Sequence, residues 1–150
     1  MLKSVALVFC TVVNIYLLGA MVVFAAVLYP MLGAVDHGGL PALYSAFTAR
    51  LGAAVVVWEF AALLASASLY WARPASVPSW SVHVAVGLGI AYFVITFLFH
   101  LPAHRALAAG DNTSIAMAAL LNSQWARTVV QTLRALLLGW LAARAIAPTQ

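Results

Sequence analysis

The sequence predicts an all-α integral membrane protein in which four transmembrane helices form one bundle. Two features of the composition indicate this fold class: 66% of the 150 residues are hydrophobic and only 7% are charged. A soluble domain has roughly a quarter of its residues charged, because its surface must face water. The third observation is that four apolar segments reach the length of about 20 helical residues that the hydrocarbon core requires.

The first predicted helix covers about residues 4–29 and ends at Pro30. Its apolar stretch exceeds the roughly 7–15 residues typical of a signal peptide, so we expect it to be retained as a helix. The second predicted helix covers about residues 42–71, with Pro41 in its first turn, where a proline removes no intrahelical hydrogen bond.

The third predicted helix covers about residues 79–100 and ends before Pro102, and the fourth covers about residues 114–145. Residues 1–150 therefore form a single transmembrane domain. Four crossings bring both termini to one side of the membrane. An excess of basic residues on that side predicts cytoplasmic termini; these residues are Lys3, Arg73 and Arg144.

The net charge of +4 comes from scattered arginines rather than from a basic cluster. This pattern is typical of membrane flanks and predicts no binding to nucleic acid. The single cysteine, Cys10, excludes a disulfide framework within the chain. We expect membrane lipids and a hydrophobic small molecule as partners, and a homo-oligomer is an option that the sequence leaves open.

Several polar residues fall inside the predicted membrane spans. Glu59 is the only glutamate, and an unpaired carboxylate in hydrocarbon is costly, so it should face the interior of the bundle. Helix four carries a polar face at helical spacing, made of Gln124, Arg127, Gln131 and Arg134. Counting about 1.5 Å per residue from the predicted ends gives Glu59 and Arg134 the same depth. We therefore predict a buried pair between them.

Helix three carries a second polar stripe, Tyr92, Thr96 and His100, at i, i+4 spacing. Lipid offers no hydrogen-bond partners, so both stripes should face each other inside the bundle. The sequence thus predicts a polar interior that opens toward the end of the bundle where Pro30 and His100 lie.

His100 and His104 form an H-x-x-x-H pair, which on a continuous helix could chelate one metal ion. His37 and Asp36 lie on the same predicted side and could complete such a site. Pro102, however, predicts a helix break between the two histidines. We therefore assign no metal ligands, and the cofactor remains unknown.

Three segments resemble a family of small bacterial four-helix membrane proteins, the anthrone oxygenase-like proteins. Residues 99–111 read F-H-L-P-A-H-R-A-L-A-A-G-D, similar to the family's V-P-x-N/H-x-x-L-A-x-G-D segment. W-A-R-T at 125–128 and L-R-A-L at 133–136 resemble its fourth helix, and Tyr29-Pro30 resembles the end of its first.

This resemblance implies an oxygenase that acts on a phenolic or quinone-like substrate in a bacterial inner (cell) membrane. Arg127 and Arg134 would hold a phenolate oxygen, His104 or His100 would act as the base, and Glu59 would set the charge of Arg134. Gln131 and Tyr92 would complete the substrate-binding lining. The chain departs from the family at 43–50, which read L-Y-S-A-F-T-A-R where relatives often carry histidines. This departure counts against a multi-histidine metal centre.

Two other functions fit the same residues. A buried glutamate and arginine with nearby amides can simply hold helices in register, as in a non-catalytic structural or accessory membrane subunit. A small proton-linked carrier is the third option, although four helices leave little room for alternating access unless the protein oligomerises.

Overall fold

The computed structural model describes residues 2–35, 39–51, 55–111 and 113–146. All regular secondary structure among these residues is helical, which confirms the all-α class. The helices form five continuous segments within the described residues, rather than the four expected. Asp36 and His37, predicted to lie near the histidine pair, fall outside the described ranges.

The first and fourth segments each contain an α-helix, a π-helical turn and a second α-helix. In the first these are α1 (Leu2–Val23), the first π turn (Phe24–Leu28) and α2 (Tyr29–Gly33). In the fourth they are α5 (Ser79–Ile95), the second π turn (Thr96–His100) and α6 (Leu101–Ala109).

The other segments are α3 (Leu40–Leu51), α4 (Val57–Ala72) and α7 (Thr113–Ile146). The bounds of α7 agree with those predicted for helix four. The helix predicted over 42–71 corresponds to α3 and α4, and residues 52–54 between them lie outside the described residues.

Pro30 and Pro102 lie inside continuous helical segments, so the prediction that they end helices is wrong. A proline in an α-helix removes a hydrogen bond, and its ring clashes with the carbonyl of residue i−4. Each proline here lies two residues after a π turn. The turn is wider than an α-helical one because its hydrogen bonds span five residues. This extra width accommodates the ring, and the helix continues.

The residue before each proline closes the wide turn. The backbone N–H of Tyr29 donates to the carbonyl of Phe24, and that of Leu101 donates to the carbonyl of Thr96. Pro30 and Pro102, which lie in different helical segments, therefore have the same local geometry.

Continuity through the second π turn places His100 and His104 about one turn apart on the same helix face. The helix predicted to end near His100 continues to Ala109. It is followed by Gly110, whose φ of +79° is a left-handed conformation that glycine adopts without strain. Beyond it, the N–H of Asp111 donates to the carbonyl of Ala106 at 3.0 Å, which ends α6 in a Schellman-type cap.

Four helices pack side by side around a shared interior. Helix α1 lies between α4 and α7, and α5 contacts the same two helices from the other side. At one end, α2, α3 and α6 pack against the beginning of α7 or against each other. This end contains the larger apolar core, in which Tyr29, Tyr44, Leu107 and Leu120 are buried.

Three helical segments of the described chain are long and apolar enough to cross a membrane: Lys3–Gly33, Ser79–Ala109 and Ser114–Ile146. Helix α4 is apolar but has only 16 residues. The outward faces of these helices carry large apolar side chains, including Phe9, Ile15, Leu64, Phe97 and Leu136.

Candidate functional site

The glutamate of α4 forms a buried ion pair with α7. Glu59 Oε1 lies 2.5 Å from Arg127 Nη2, and both side chains are 4% exposed. Tyr92 of α5 joins the pair, since its hydroxyl donates to Glu59 and accepts from Arg127. The other guanidinium arm, Nη1, donates to Gln124 Oε1 at 3.1 Å. The predicted pairing of Glu59 with Arg134 is therefore wrong.

The error lies in the depth estimate. That estimate placed Glu59 at the depth of Arg134, whereas the ion pair places it beside Arg127. Arg127 lies seven residues before Arg134 on α7, which corresponds to about 10 Å along the helix axis. The polar face of α7 was predicted correctly, because all four of its polar side chains are buried.

A second polar cluster lies where α2, α3, α6 and α7 meet. His104 Nε2 lies 2.9 Å from His100 Nε2, and the hydroxyl of Tyr29 lies 3.4 Å from each of these two nitrogens. On the far sides of the rings, His104 Nδ1 is 2.6 Å from the hydroxyl of Tyr44 and His100 Nδ1 is 2.9 Å from Ser123 Oγ. Every imidazole nitrogen in the cluster thus has a polar neighbour.

A cavity of about 340 Å³ joins the two clusters. Its apolar walls include Met21, Phe24, Leu51 and Val55. Its polar lining consists of Tyr29, Thr48, Glu59, Thr96, His100, His104, Arg105, Gln124 and Arg127. The Arg127–Glu59 pair and the His100–His104 pair therefore line the same cavity. This agrees with the predicted polar interior at the end of the bundle where Pro30 and His100 lie.

Two predicted site residues lie away from this cavity. Gln131 Nε2 donates to the backbone and side-chain oxygens of Asn14, at 2.9 and 3.1 Å. Arg134 Nη2 donates to the carbonyl of Ala62 at 2.8 Å and to Ser66 Oγ at 2.7 Å. These contacts join α7 to α1 and α4. Tyr92 contacts both Glu59 and Arg127 without lining the cavity.

Three residues of the histidine cluster were missed by the sequence reasoning: Tyr29, Tyr44 and Ser123. Tyr29 lies at the predicted end of the first helix, yet it is only 2% exposed. A tyrosine beside a proline, on the same predicted side as two histidines, was the available signal. Tyr44 and Ser123 carry no comparable signal, because their roles depend on how separate helices pack.

No group of three His, Cys, Asp or Glu side chains gathers at one point within the described ranges. At the histidine cluster the third converging polar atom is instead a phenol oxygen, that of Tyr29. A second, larger groove of about 650 Å³ lies on the outer surface between α6 and α7. Its walls are mostly apolar, with Phe99, Ala106 and Ala119 among them, so it lacks the chemistry of the inner cavity.

Comparisons with models of protein families, with curated proteins and with solved structures find no match to this chain. The resemblance to anthrone oxygenase-like proteins therefore stays a prediction from the motifs.

Proposed function

We propose that this chain is an integral membrane protein that binds a hydrophobic ring molecule with a phenolic or quinone-like oxygen in its inner cavity. We further propose that it acts on this molecule as an anthrone oxygenase-like enzyme. The observation that carries the proposal is a single cavity bordered by both the Arg127–Glu59 pair and the His100–His104 pair.

The distribution of polar and apolar side chains supports a membrane location. The outward faces are rich in large apolar groups, whereas Asn14, Glu59, Gln124 and Arg134 are buried. A soluble protein rarely buries charges while exposing contiguous apolar surface. In lipid this arrangement is favourable, because polar groups find partners only inside the protein.

The proposed topology has four crossings. Helix α4 alone spans about 24 Å at 1.5 Å per residue, less than the roughly 30 Å of the hydrocarbon core. We assign the fourth crossing to α3 and α4 together. Both termini then lie on one side, and the excess of Lys and Arg on that side supports a cytoplasmic location for them.

The size of the cavity and the neutrality of its Arg127–Glu59 pair favour a small, neutral or weakly acidic ligand. A volume of 340 Å³ falls within the range of about 300–1,000 Å³ that is typical of small-molecule sites. Because Glu59 already neutralises Arg127, the pair offers hydrogen-bond donors without a net charge. This arrangement suits a phenol or quinone oxygen better than a free anion. Arg134, which does not line the cavity, has no part in this binding.

The His100–His104 pair and the Arg127–Glu59 pair have different functions in the proposed reaction. An imidazole Nε2 of His104 or His100 takes a proton from the substrate, and Arg127 stabilises the negative charge that develops on the substrate oxygen. In anthrone oxidation the ring CH2 becomes a carbonyl. One oxygen atom of dioxygen enters the product and the other leaves as water, together with the two hydrogens of the CH2 group.

The polar residues of the interior that lie away from the cavity have a structural function. The contacts of Gln131 with Asn14, and of Arg134 with Ser66, join helices by well-formed hydrogen bonds away from the cavity. Interhelical hydrogen bonds of this kind stabilise membrane bundles. We therefore assign Gln131 and Arg134 to packing.

Calorimetric titration of the purified full chain with anthrone and with menadione tests the binding site. Ala108 lines the inner cavity, so Ala108→Phe should fill it and weaken binding about tenfold or more, which corresponds to about 1.4 kcal/mol. Ala106 lines the outer groove, so Ala106→Phe is the matched control and should bind like the wild type.

Dioxygen uptake during anthrone oxidation tests the catalytic part. An uptake that Ala108→Phe abolishes and Ala106→Phe retains would support the enzyme. Binding without uptake would contradict the oxygenase and keep the binding site. Equal affinity in all three proteins, or none in the wild type, would contradict the site itself.

A further inference from the structure

We propose that Tyr29, His100 and His104 are the three protein ligands of a single transition-metal ion at the edge of the inner cavity. The inference goes beyond the proposed function, because it depends on the geometry of these three side chains and not on which molecule the cavity binds. An Nε2 atom that binds the ion cannot also take a proton, so the base role proposed for His104 or His100 belongs to the metal-free chain. Imidazole ligands favour zinc, copper, iron or nickel over magnesium or calcium.

The three donor atoms form a triangle of suitable size. Its sides are 2.9 Å between the two Nε2 atoms and 3.4 Å from each of them to the hydroxyl oxygen of Tyr29. Ligands about 2.0–2.1 Å from one ion, at angles between 90° and the tetrahedral value, are about 2.9–3.4 Å apart. One ion can therefore contact all three atoms with small movements of the side chains.

The outer nitrogens of both rings already have the partners that metal-binding histidines require. Ser123 donates its only hydroxyl hydrogen to the carbonyl of Leu120 at 2.9 Å, so its oxygen accepts from His100 Nδ1–H. In this arrangement His100 carries its hydrogen on Nδ1, and the lone pair of its Nε2 is directed at His104. Partners on the far nitrogen orient ligating histidines in metal sites generally.

His104 has an equivalent outer partner in Tyr44, whose hydroxyl can donate or accept. When Tyr44 donates, His104 carries its hydrogen on Nε2 and donates it to His100, which is the metal-free state. When Tyr44 accepts, both Nε2 lone pairs face each other at 2.9 Å and repel unless a cation lies between them. The metal-bound state uses this second arrangement, with Tyr29 as a phenolate that has released its proton.

Three protein ligands leave at least one coordination position open, as in catalytic rather than structural metal sites. All three proposed ligands line the inner cavity, so a molecule bound there would lie beside the ion. The continuous helix through Pro102 makes the pair possible, because a break would have separated the two imidazoles.

Copper titration of the chelator-treated full chain in detergent tests the site. We expect one Cu²⁺ per chain, electron paramagnetic resonance showing two bound imidazole nitrogens, and a visible phenolate-to-copper band. Tyr29→Phe should abolish the band while the two nitrogens remain. His100→Ala and His104→Ala should each weaken binding at least about tenfold, the order seen when metal sites lose supporting groups. His83→Ala is the matched control, since His83 is exposed and distant in sequence.

Substoichiometric copper on the wild type, or undiminished binding by the double variant His100→Ala/His104→Ala, would overturn the proposal. If the histidine variants fail to fold, the wild-type spectrum and the Tyr29→Phe band still decide it. Anthrone titration of the metal-free chain separates this proposal from the proposed function. Anthrone binding without copper binding would overturn the metal site alone, and copper binding without anthrone binding would support the metal site and contradict only the small-molecule site.

Discussion

At the scale of single residues, the two arginines of the interior differ in how their charge is compensated. Arg127 is paired with Glu59, the one ion pair found among the described residues. Arg134 is equally buried, yet its hydrogen bonds go to neutral oxygens of Ala62 and Ser66. A buried charge without a counter-charge is costly, so neighbouring dipoles must stabilise Arg134. Removing a charge should therefore have different consequences at the two positions.

Glu59→Gln should destabilise the protein by about 3–5 kcal/mol, because it leaves the Arg127 charge buried without its partner. Arg127→Met should have a similar effect, and the double variant should lose much less than the sum of the two single changes. Reversible unfolding in mixed micelles, followed by circular dichroism, gives the three free energies. Additive losses would contradict the pairing.

Arg134→Met is the control for the comparison of Glu59→Gln, Arg127→Met and their double variant. We expect its effect to add to that of Glu59→Gln, since the two side chains share no hydrogen bond or ion pair in the described chain. Strong coupling between these two positions would instead favour the pairing first expected from the sequence.

The sequence predicted which residues face inward better than it predicted their partners. The polar face of α7 follows from helical spacing alone, and all four of its members are buried. Partners depend on how far one helix is shifted along another. Arg127 and Arg134 lie two helical turns apart on α7, so a two-turn error in the relative position of α4 and α7 selects the wrong arginine as the partner of Glu59. Composition does not show how far one helix is shifted along the other. For the same reason the spacing identified His100 and His104 but missed Tyr44 and Ser123, which come from other helices.

At the scale of helices, one glycine allows a close approach between α5 and its neighbours. A Cβ atom on Gly89 would lie 2.8 Å from a methyl carbon of Leu63 and 3.0 Å from the Arg134 guanidinium carbon. Leu63 can move its flexible end, whereas Arg134 is held by Ser66 and Ala62. The absence of a side chain at Gly89 therefore makes room for the buried arginine.

Gly89→Ala should destabilise the protein by about 1–3 kcal/mol, the usual cost of overpacking an interior. Gly87 is the matched control on the same helix, because nothing lies within 4 Å of the Cβ position there. Gly87→Ala should be neutral or stabilising by up to about 1 kcal/mol through helix propensity. Thermal unfolding in detergent compares the two, and equal effects would contradict the role of Gly89.

At the scale of the whole molecule, the number of crossings depends on whether α3 and α4 together span the membrane. Four crossings put Ala34 and Ala109 on one side and Ser76, between α4 and α5, on the other. Three crossings would put Ala34 and Ser76 on the same side. All three positions are exposed, whereas the native Cys10 is buried.

Single cysteines at Ala34, Ser76 and Ala109, in a Cys10→Ser background, should therefore label in two groups with a membrane-impermeant maleimide. In right-side-out vesicles we expect labelling of Ala34→Cys and Ala109→Cys, and labelling of Ser76→Cys only after permeabilisation. Ala34→Cys and Ser76→Cys reacting from the same side would contradict four crossings. The reverse pattern for all three would keep four crossings and place the termini outside the cell.

The π turns at Phe24–Leu28 and Thr96–His100 also determine the directions of the side chains that follow them. A π turn holds one residue more than an α-helical turn, so the helix beyond it is rotated by about 100° relative to an uninterrupted α-helix. The extra residue before Pro30 and the one before Pro102 thus turn α2 and α6 relative to α1 and α5. Deleting one residue from Thr96–His100 would turn His104 away from Tyr44. One residue in each helix therefore determines whether these tyrosine and histidine side chains converge.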